Sequence, residues 1–471
     1  MIEIFKGLRP FQKAEMLIMM LLAFVIPFSW LAAQYVEVML LLCAVLKLVF
    51  DQKFHLNEDQ MKFKWAYIIF ALTWVIYLVG MLYTDNQSVG WAQVSKKLGF
   101  LIFPVIFIIS DMSYLDKTRL KAIGNALVLG CLLYFVINFV YASYDVFFNG
   151  YTKQRFFDEY LMKLWPVHHS YNSMYFALGM VFCFNEIFGD GNRKVKIING
   201  IAYILLVIFI VLASSRAGLL CIVLLFVFQW IWLVFVMKKR KTGLITGCIF
   251  IVAMIGAIIA FPNSFSRVTM TIKNVTSEKN SDKRLVQLRG YNEVLTENWL
   301  FGVGTGDRSD EIVKSYSAYR DAIIEKIGKP ASEAIDRAFA ECDKCPMDSI
   351  RTMVLSQSEE LGFDKEKVND YLVEYAYIGY AVNEKLNAHN MYFETLISVG
   401  ILGLLLLLAY FVIPMILWIK SRKIDFVYFS FLIIISFNML FESIFETQMG
   451  IIFFCFFNAL LFYSSFVKKV N

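Results

Sequence analysis

Stretches of about 17 to 25 mostly apolar residues match the hydrocarbon thickness of a bilayer, and this chain is built largely from them. Counted in that way, the sequence predicts about twelve transmembrane helices, at 14–33, 35–50, 64–83, 95–113, 120–148, 169–189, 197–213, 216–237, 243–261, 390–418, 425–443 and 447–467. Lipid offers no partner to a backbone N–H or C=O, so such segments must be helical. The predicted fold class is therefore an all-α, polytopic membrane protein. With 59% hydrophobic and only 18% charged residues, a soluble globular fold is excluded. Pro104 sits in the fourth stretch, where a broken or re-entrant helix is expected. One long polar interval separates the ninth stretch from the tenth. The expected organisation is an N-terminal bundle of about nine helices over 1–261, a loop or cap over 262–388 and about three helices over 389–471.

Basic residues fix the expected orientation. Lys53, Lys62 and Lys64, then Lys117, Arg119 and Lys121, then Arg193, Lys194 and Lys196, the run 238–241, and Lys420, Arg422 and Lys423 fall in alternate connections. Placing these inside puts both termini, including Lys468 and Lys469, in the cytoplasm and the large loop outside. The same clusters account for the formal charge of +6, so nucleic acid is not implied. Lys6, Arg9 and Lys13 ahead of the first apolar run resemble a signal peptide, but the run leads straight into further spans and reads as an uncleaved helix.

Within the polar interval, Asp282 is the expected cap of a helix with Leu285, Leu288, Tyr291 and Leu295 on one face. Further helices are expected at about 310–327 and 331–339, and from near Asp364 through 371–386. Arg284 and Arg289 lie about 140° apart on the first of these helices, so they point to different places. A guanidinium binds phosphate oxygens bidentately, which suits Arg284 to a pyrophosphate; the alternative is a solvated basic face. Gly302, Gly304 and Gly306 follow a helix instead of a strand, so they are no dinucleotide fingerprint. Their backbone N–H groups could face an anion, or the run could simply stop the helix.

Arg216 follows Ser214 and Ser215 where two apolar runs meet. A charge at that depth needs a partner or water, which makes it a candidate for an anionic ligand or a snorkelling arginine. With Asn387 as N-cap, His389 would open the tenth helix, where the dipole favours a neutral ring able to accept a proton. His168 and His169 begin another helix and are rival bases, weak as a metal motif. Glu442 and Glu446 could hold Arg216 or Arg284 or remain solvated. Six of the eight cysteines lie in apolar runs; Cys342 and Cys345 in the loop are either free thiols or a local disulfide, with no second pair to build a zinc site. No metal site and no cofactor are expected.

Four pieces in order, SSRAGLL around Arg216, Arg284 with the turn from Gly302 to Gly306, AHNMYFETLISVGILGL from Ala388, and FESIFETQMGIIFFCFF, resemble the O-antigen ligase and O-antigen polymerase family of bacterial membrane glycosyltransferases. Leu288 and Trp299 depart from it, standing where members often carry tryptophan and proline. The resemblance implies a GT-C-like fold in the bacterial inner membrane with the loop in the periplasm. It implies metal-independent transfer of a glycan from an undecaprenyl-pyrophosphate donor to an acceptor hydroxyl of lipid A core, another glycan or a protein. Carried over by position, Arg216, Arg284 and His389 are the catalytic candidates; Arg289, Tyr291, Gly302, Gly304 and Asn390 are the expected substrate-binding residues around them.

Ligase is the favoured expectation, with an O-antigen or exopolysaccharide polymerase or a protein O-oligosaccharyltransferase as alternatives. A transporter or flippase of a lipid-linked saccharide would place charges deep in several spans and show paired broken helices. In this sequence the conspicuous charges are expected at the outer rim instead.

Overall fold

The structure, a computed structural model, describes residues 2–50, 58–213, 215–260, 283–342 and 345–467; Asp282 and Ser214 lie outside them. The described residues form helices joined by turns, with no strand among them. Among the described residues, eight helices are long and apolar enough to cross a membrane, so the fold is an all-α polytopic one. The remaining predicted stretches are helical too, but differ in kind. Pro10–Val25 has 16 residues and Phe426–Met439 has 14, while His169–Phe188 and Arg240–Ala260 are full-length helices outside those eight.

The expected break at Pro104 is displaced. Pro104 lies inside the Gly99–Ile109 helix without ending it, and the interruption falls just before, at Lys97 and Leu98. Lys97 explains the position: its ammonium donates to Phe445 O (3.3 Å) and to Glu446 Oε1 (3.0 Å), with a side chain 1% exposed. A buried charge that finds a carboxylate by leaving the helical path determines where the path bends.

By internal contacts the chain divides into two compact units, one of Met1–Val75, Val94–Ser266 and Leu405–Asn471, the other of Ile76–Gln93 and Arg267–Leu404. In the first, the Gln448–Phe462 helix is the axis, buried from Gly450 to Phe462. Its phenylalanines meet rings from neighbouring helices, as Phe454 meets Tyr410 (4.9 Å) and Phe445 (4.8 Å). Tyr410 in turn stacks on Phe70 at 4.4 Å and donates its hydroxyl to the Phe70 carbonyl. Rings serve here because they pack a large area while the phenol still finds an acceptor.

Charge is also found where it was not expected. Lys47 and Glu15 form a 2.7 Å ion pair with both side chains fully enclosed. Ser110 and Tyr114 donate to the same carboxylate, and Lys47 donates to Ser110 Oγ and the Asp111 carbonyl. The expectation that charge gathers at one rim therefore needs correction: two spans carry a satisfied buried pair, whose partners are too distant in sequence to be matched by inspection.

The second unit holds the polar interval, folded as a helical body with its own apolar core. Arg308–Ile327, Lys329–Glu341 and Lys365–Asn383 fall where helices are expected, the last capped by Asp364, which accepts the N–H of Glu366 and Lys367. Met347–Ser356 is an additional helix. Ile323, Ile335, Ile350, Val354, Val368 and Leu372 are buried together at their centre. Cys342 and Cys345 are disulfide-bonded to each other.

Candidate active site

In the second unit, the run from Gly302 to Arg308 acts as a bracket. Backbone lacing comes first: the N–H of Val303 donates to Ile397 O (2.8 Å), that of Gly304 to Ser398 O (3.1 Å), and that of Ile401 to Leu300 O (3.2 Å). The Met391–Ser421 helix is broken there, at Val399 and Gly400, so its interrupted carbonyls find donors in the glycine turn. Close approach dictates the glycines. Gly302 has φ +76°, and a Cβ on it would stand 2.6 Å from the Ser398 carbonyl. Gly400 has φ +68°, and a Cβ there would overlap the Leu300 carbonyl oxygen.

The bracket continues through side chains. Thr305 donates to Tyr77 O at 2.6 Å, and Asp307 accepts the N–H groups of Asp85 and Asn86, each at 2.7 Å. Next in sequence, Arg308 Nε lies 2.8 Å from Glu394 Oε2, with the glutamate fully enclosed and the arginine 11% exposed. Glu394 Oε1 accepts the N–H of Ala388 at 2.7 Å. Thus a buried ion pair holds the residue that immediately precedes His389.

His389 itself is half-buried, with φ +46°, and its N–H donates to Asn387 Oδ1 at 3.0 Å. The N-cap differs from the expected one. Asn390, not Asn387, caps the helix, accepting from the N–H of Tyr392 (3.0 Å) and Phe393 (3.2 Å). His389 therefore stands in a turn ahead of the helix, in a left-handed conformation that a non-glycine residue adopts only when its surroundings impose it.

The other predicted residues occupy distinct places. Gly302 and Gly304 donate their N–H groups to Asn298 O and Ser398 O. Tyr291 is buried against Tyr316 and Phe393, its hydroxyl 3.5 Å from Ala388 O, and burial pushes its pKa up. Arg289 pairs with Glu374 at 3.1 Å; that hydrogen bond raises the guanidinium pKa, and Tyr319 shares the same carboxylate at 2.7 Å. Arg284 lies in the Lys283–Gly290 helix and Arg216 opens the Arg216–Ile231 helix; the side chains of both lie outside the described residues.

In the first unit, Ser215 caps the Arg216 helix by accepting the Gly218 N–H at 3.2 Å. Gly218 packs on the His169–Phe188 helix so closely that a Cβ would lie 2.6 Å from Ser173 Oγ. Ser170 of that helix donates to Glu442 at 3.0 Å, and Glu446 takes Lys97. The two glutamates left open by the sequence thus have partners within their own unit.

Residues 201–336 match the family model described as O-antigen ligase. That stretch is similar to the O-antigen ligase family. The matched stretch contains Arg216, Arg284, Arg289, Tyr291, the glycine turn and Arg308, and it ends ahead of His389 and Asn390. A comparison with curated proteins returned no match. The match and the apolar helices together support a multi-pass membrane protein of O-antigen ligase or polymerase type. Sequence reasoning passed over Arg308 and Glu394. The available signal was Glu394 itself, a carboxylate in the first turn of an apolar helix, where charge demands an explanation.

Proposed function

We propose that this chain transfers a glycan from undecaprenyl pyrophosphate to an acceptor hydroxyl of lipid A core or a similar saccharide, on the periplasmic side of the bacterial inner membrane. The acceptor oxygen attacks the anomeric carbon as its proton passes to His389. The glycosidic bond to the diphosphate breaks, and its electron pair leaves on the diphosphate. Arg216 and Arg284 offset the growing negative charge, so the step needs no metal. A histidine base of this kind contributes about 10²- to 10⁴-fold to the rate.

One observation carries the reading: the Arg308 and Glu394 pair holds the Ala388 N–H and so fixes the turn bearing His389. A general base is useful only if its ring is held within hydrogen-bonding reach of the attacking hydroxyl. The family match over Arg216 and Arg284 adds independent support.

The test is incubation of purified protein with a polyprenyl-pyrophosphate glycan and candidate acceptors, followed by mass analysis. Glycan appearing on the acceptor, and lost with Arg216→Ala, Arg284→Ala or His389→Ala in folded protein, is the expected result. Near-normal product from all three variants would reject the proposal. Lengthened carrier-linked chains with no acceptor supplied would identify a polymerase instead.

A further inference from the structure

Separate from the His389 turn, the connection between the Lys117–Phe148 and His169–Phe188 helices brings together Glu159, His168 and His169. One ligand atom from each lies within 4.8 Å of the others. His169 Nδ1 is enclosed and makes no hydrogen bond among the described residues, yet carboxylate oxygens of Glu159 and Asp158 stand 3.8 and 3.9 Å from it. Those separations are too long for a hydrogen bond. They approach the spacing of two ligands on one tetrahedral ion, about 3.3 Å for bonds of about 2.0 to 2.1 Å, within reach of small side-chain rotations.

The backbone is shaped to the same end. Asp158 has φ +57°, a conformation that costs an ordinary residue energy and that starts the short turn carrying Glu159. The lone pair of His168 Nδ1 accepts the Ser170 N–H over a long 3.4 Å, a weak bond that an ion can displace. The two imidazole rings lie 4.1 Å apart. Arg155, the buried base of this connection, is committed to Asp145 at 2.7 Å and does not supply the counter-charge here.

We infer that Glu159, His168 and His169 bind a divalent transition-metal ion, with zinc the best fit to two imidazoles and a carboxylate. Asp158 lies beside the ion, and water completes its coordination. Bound there, the ion clamps the connection onto the start of the helix whose Ser170 holds Glu442 and whose Ser173 abuts Gly218, two residues beyond Arg216. Its role is to position this end of the first unit, and it does not depend on the transfer chemistry.

Full-length protein purified without a polyhistidine tag, stripped with chelator and equilibrated with Zn²⁺, is expected to retain one ion per chain by elemental analysis. Co²⁺ in its place is expected to show the ligand-field absorption of a low-coordinate site. His168→Ala and Glu159→Gln change exposed side chains and leave folding measurable; each should weaken Zn²⁺ by about tenfold or more, as should His169→Ala. His389→Ala should leave the stoichiometry unchanged. No retained zinc in the wild-type protein, or retention unchanged in all three ligand variants, overturns the assignment.

Discussion

Glu394 and Arg308 meet at 2.8 Å, and the other oxygen of the same carboxylate accepts the Ala388 N–H. Removing one member of an enclosed pair strands the other, at a cost of about 3 to 5 kcal/mol. Glu394→Ala should therefore destabilise the protein by that order and release the turn before His389. Glu394→Gln, which retains an acceptor for Ala388, should be milder. Thermal unfolding in detergent gives the stability. In glycan-transfer assays at permissive temperature, Glu394→Ala should lower turnover by about a hundredfold, because a misplaced base loses rate even when present.

Asn390 and Asn387 have different tasks despite their similar settings in sequence. Asn390→Ala removes the helix cap and should cost about 1 kcal/mol. Asn387→Ala removes only the acceptor for His389 N–H, so its effect should appear in turnover more than in melting temperature. Comparing the two variants by unfolding and by initial rate checks the assignment. A larger loss of stability from Asn387→Ala would restore that residue as the cap.

Local pattern made much of this legible. Spans longer than a bilayer needs announce themselves by apolar length alone, and Asp364 announces a helix start because its carboxylate meets backbone N–H groups only two and three residues away. What depended on distant partners was hidden. The break at Lys97 is set by Glu446, and the importance of Glu394 by Arg308, each encoded far along the chain. The helix break at Gly400 was equally concealed, because a single glycine in an apolar run has the same appearance whether the helix is continuous or laced to another loop. At Asn387 and Asn390 the ambiguity was local: two asparagines three apart both satisfy the cap rule, and only backbone geometry chooses between them.

Lys47 and Glu15 allow a test of how an enclosed ion pair in the first unit is balanced. Lys47→Met alone leaves a buried carboxylate uncompensated and should cost about 3 to 5 kcal/mol. The double variant Lys47→Met with Glu15→Gln should recover most of that loss, since no net charge remains to be solvated. Chemical unfolding of the single and double variants in one detergent yields the coupling energy. Additive losses would mean that the charges act independently despite their 2.7 Å separation.

Gly400 should tolerate a methyl group worse than its backbone angle alone implies. A left-handed conformation costs an L-residue about 1 to 2 kcal/mol, a penalty that Gly362→Ala should show by itself, since φ is +72° and nothing lies within 4 Å of its added Cβ. Gly400→Ala bears the same angular cost and also drives Cβ into the Leu300 carbonyl, and Gly302→Ala drives one into Ser398. Both clashes fall on backbone, which cannot rotate aside, so the lacing through Val303, Gly304 and Ile401 must open. Equilibrium unfolding should therefore rank both variants well below Gly362→Ala, and amide exchange at Val303 and Ile401 should accelerate. Equal losses at all three glycines would mean that the turn and the broken helix do not meet as closely as their hydrogen bonds require.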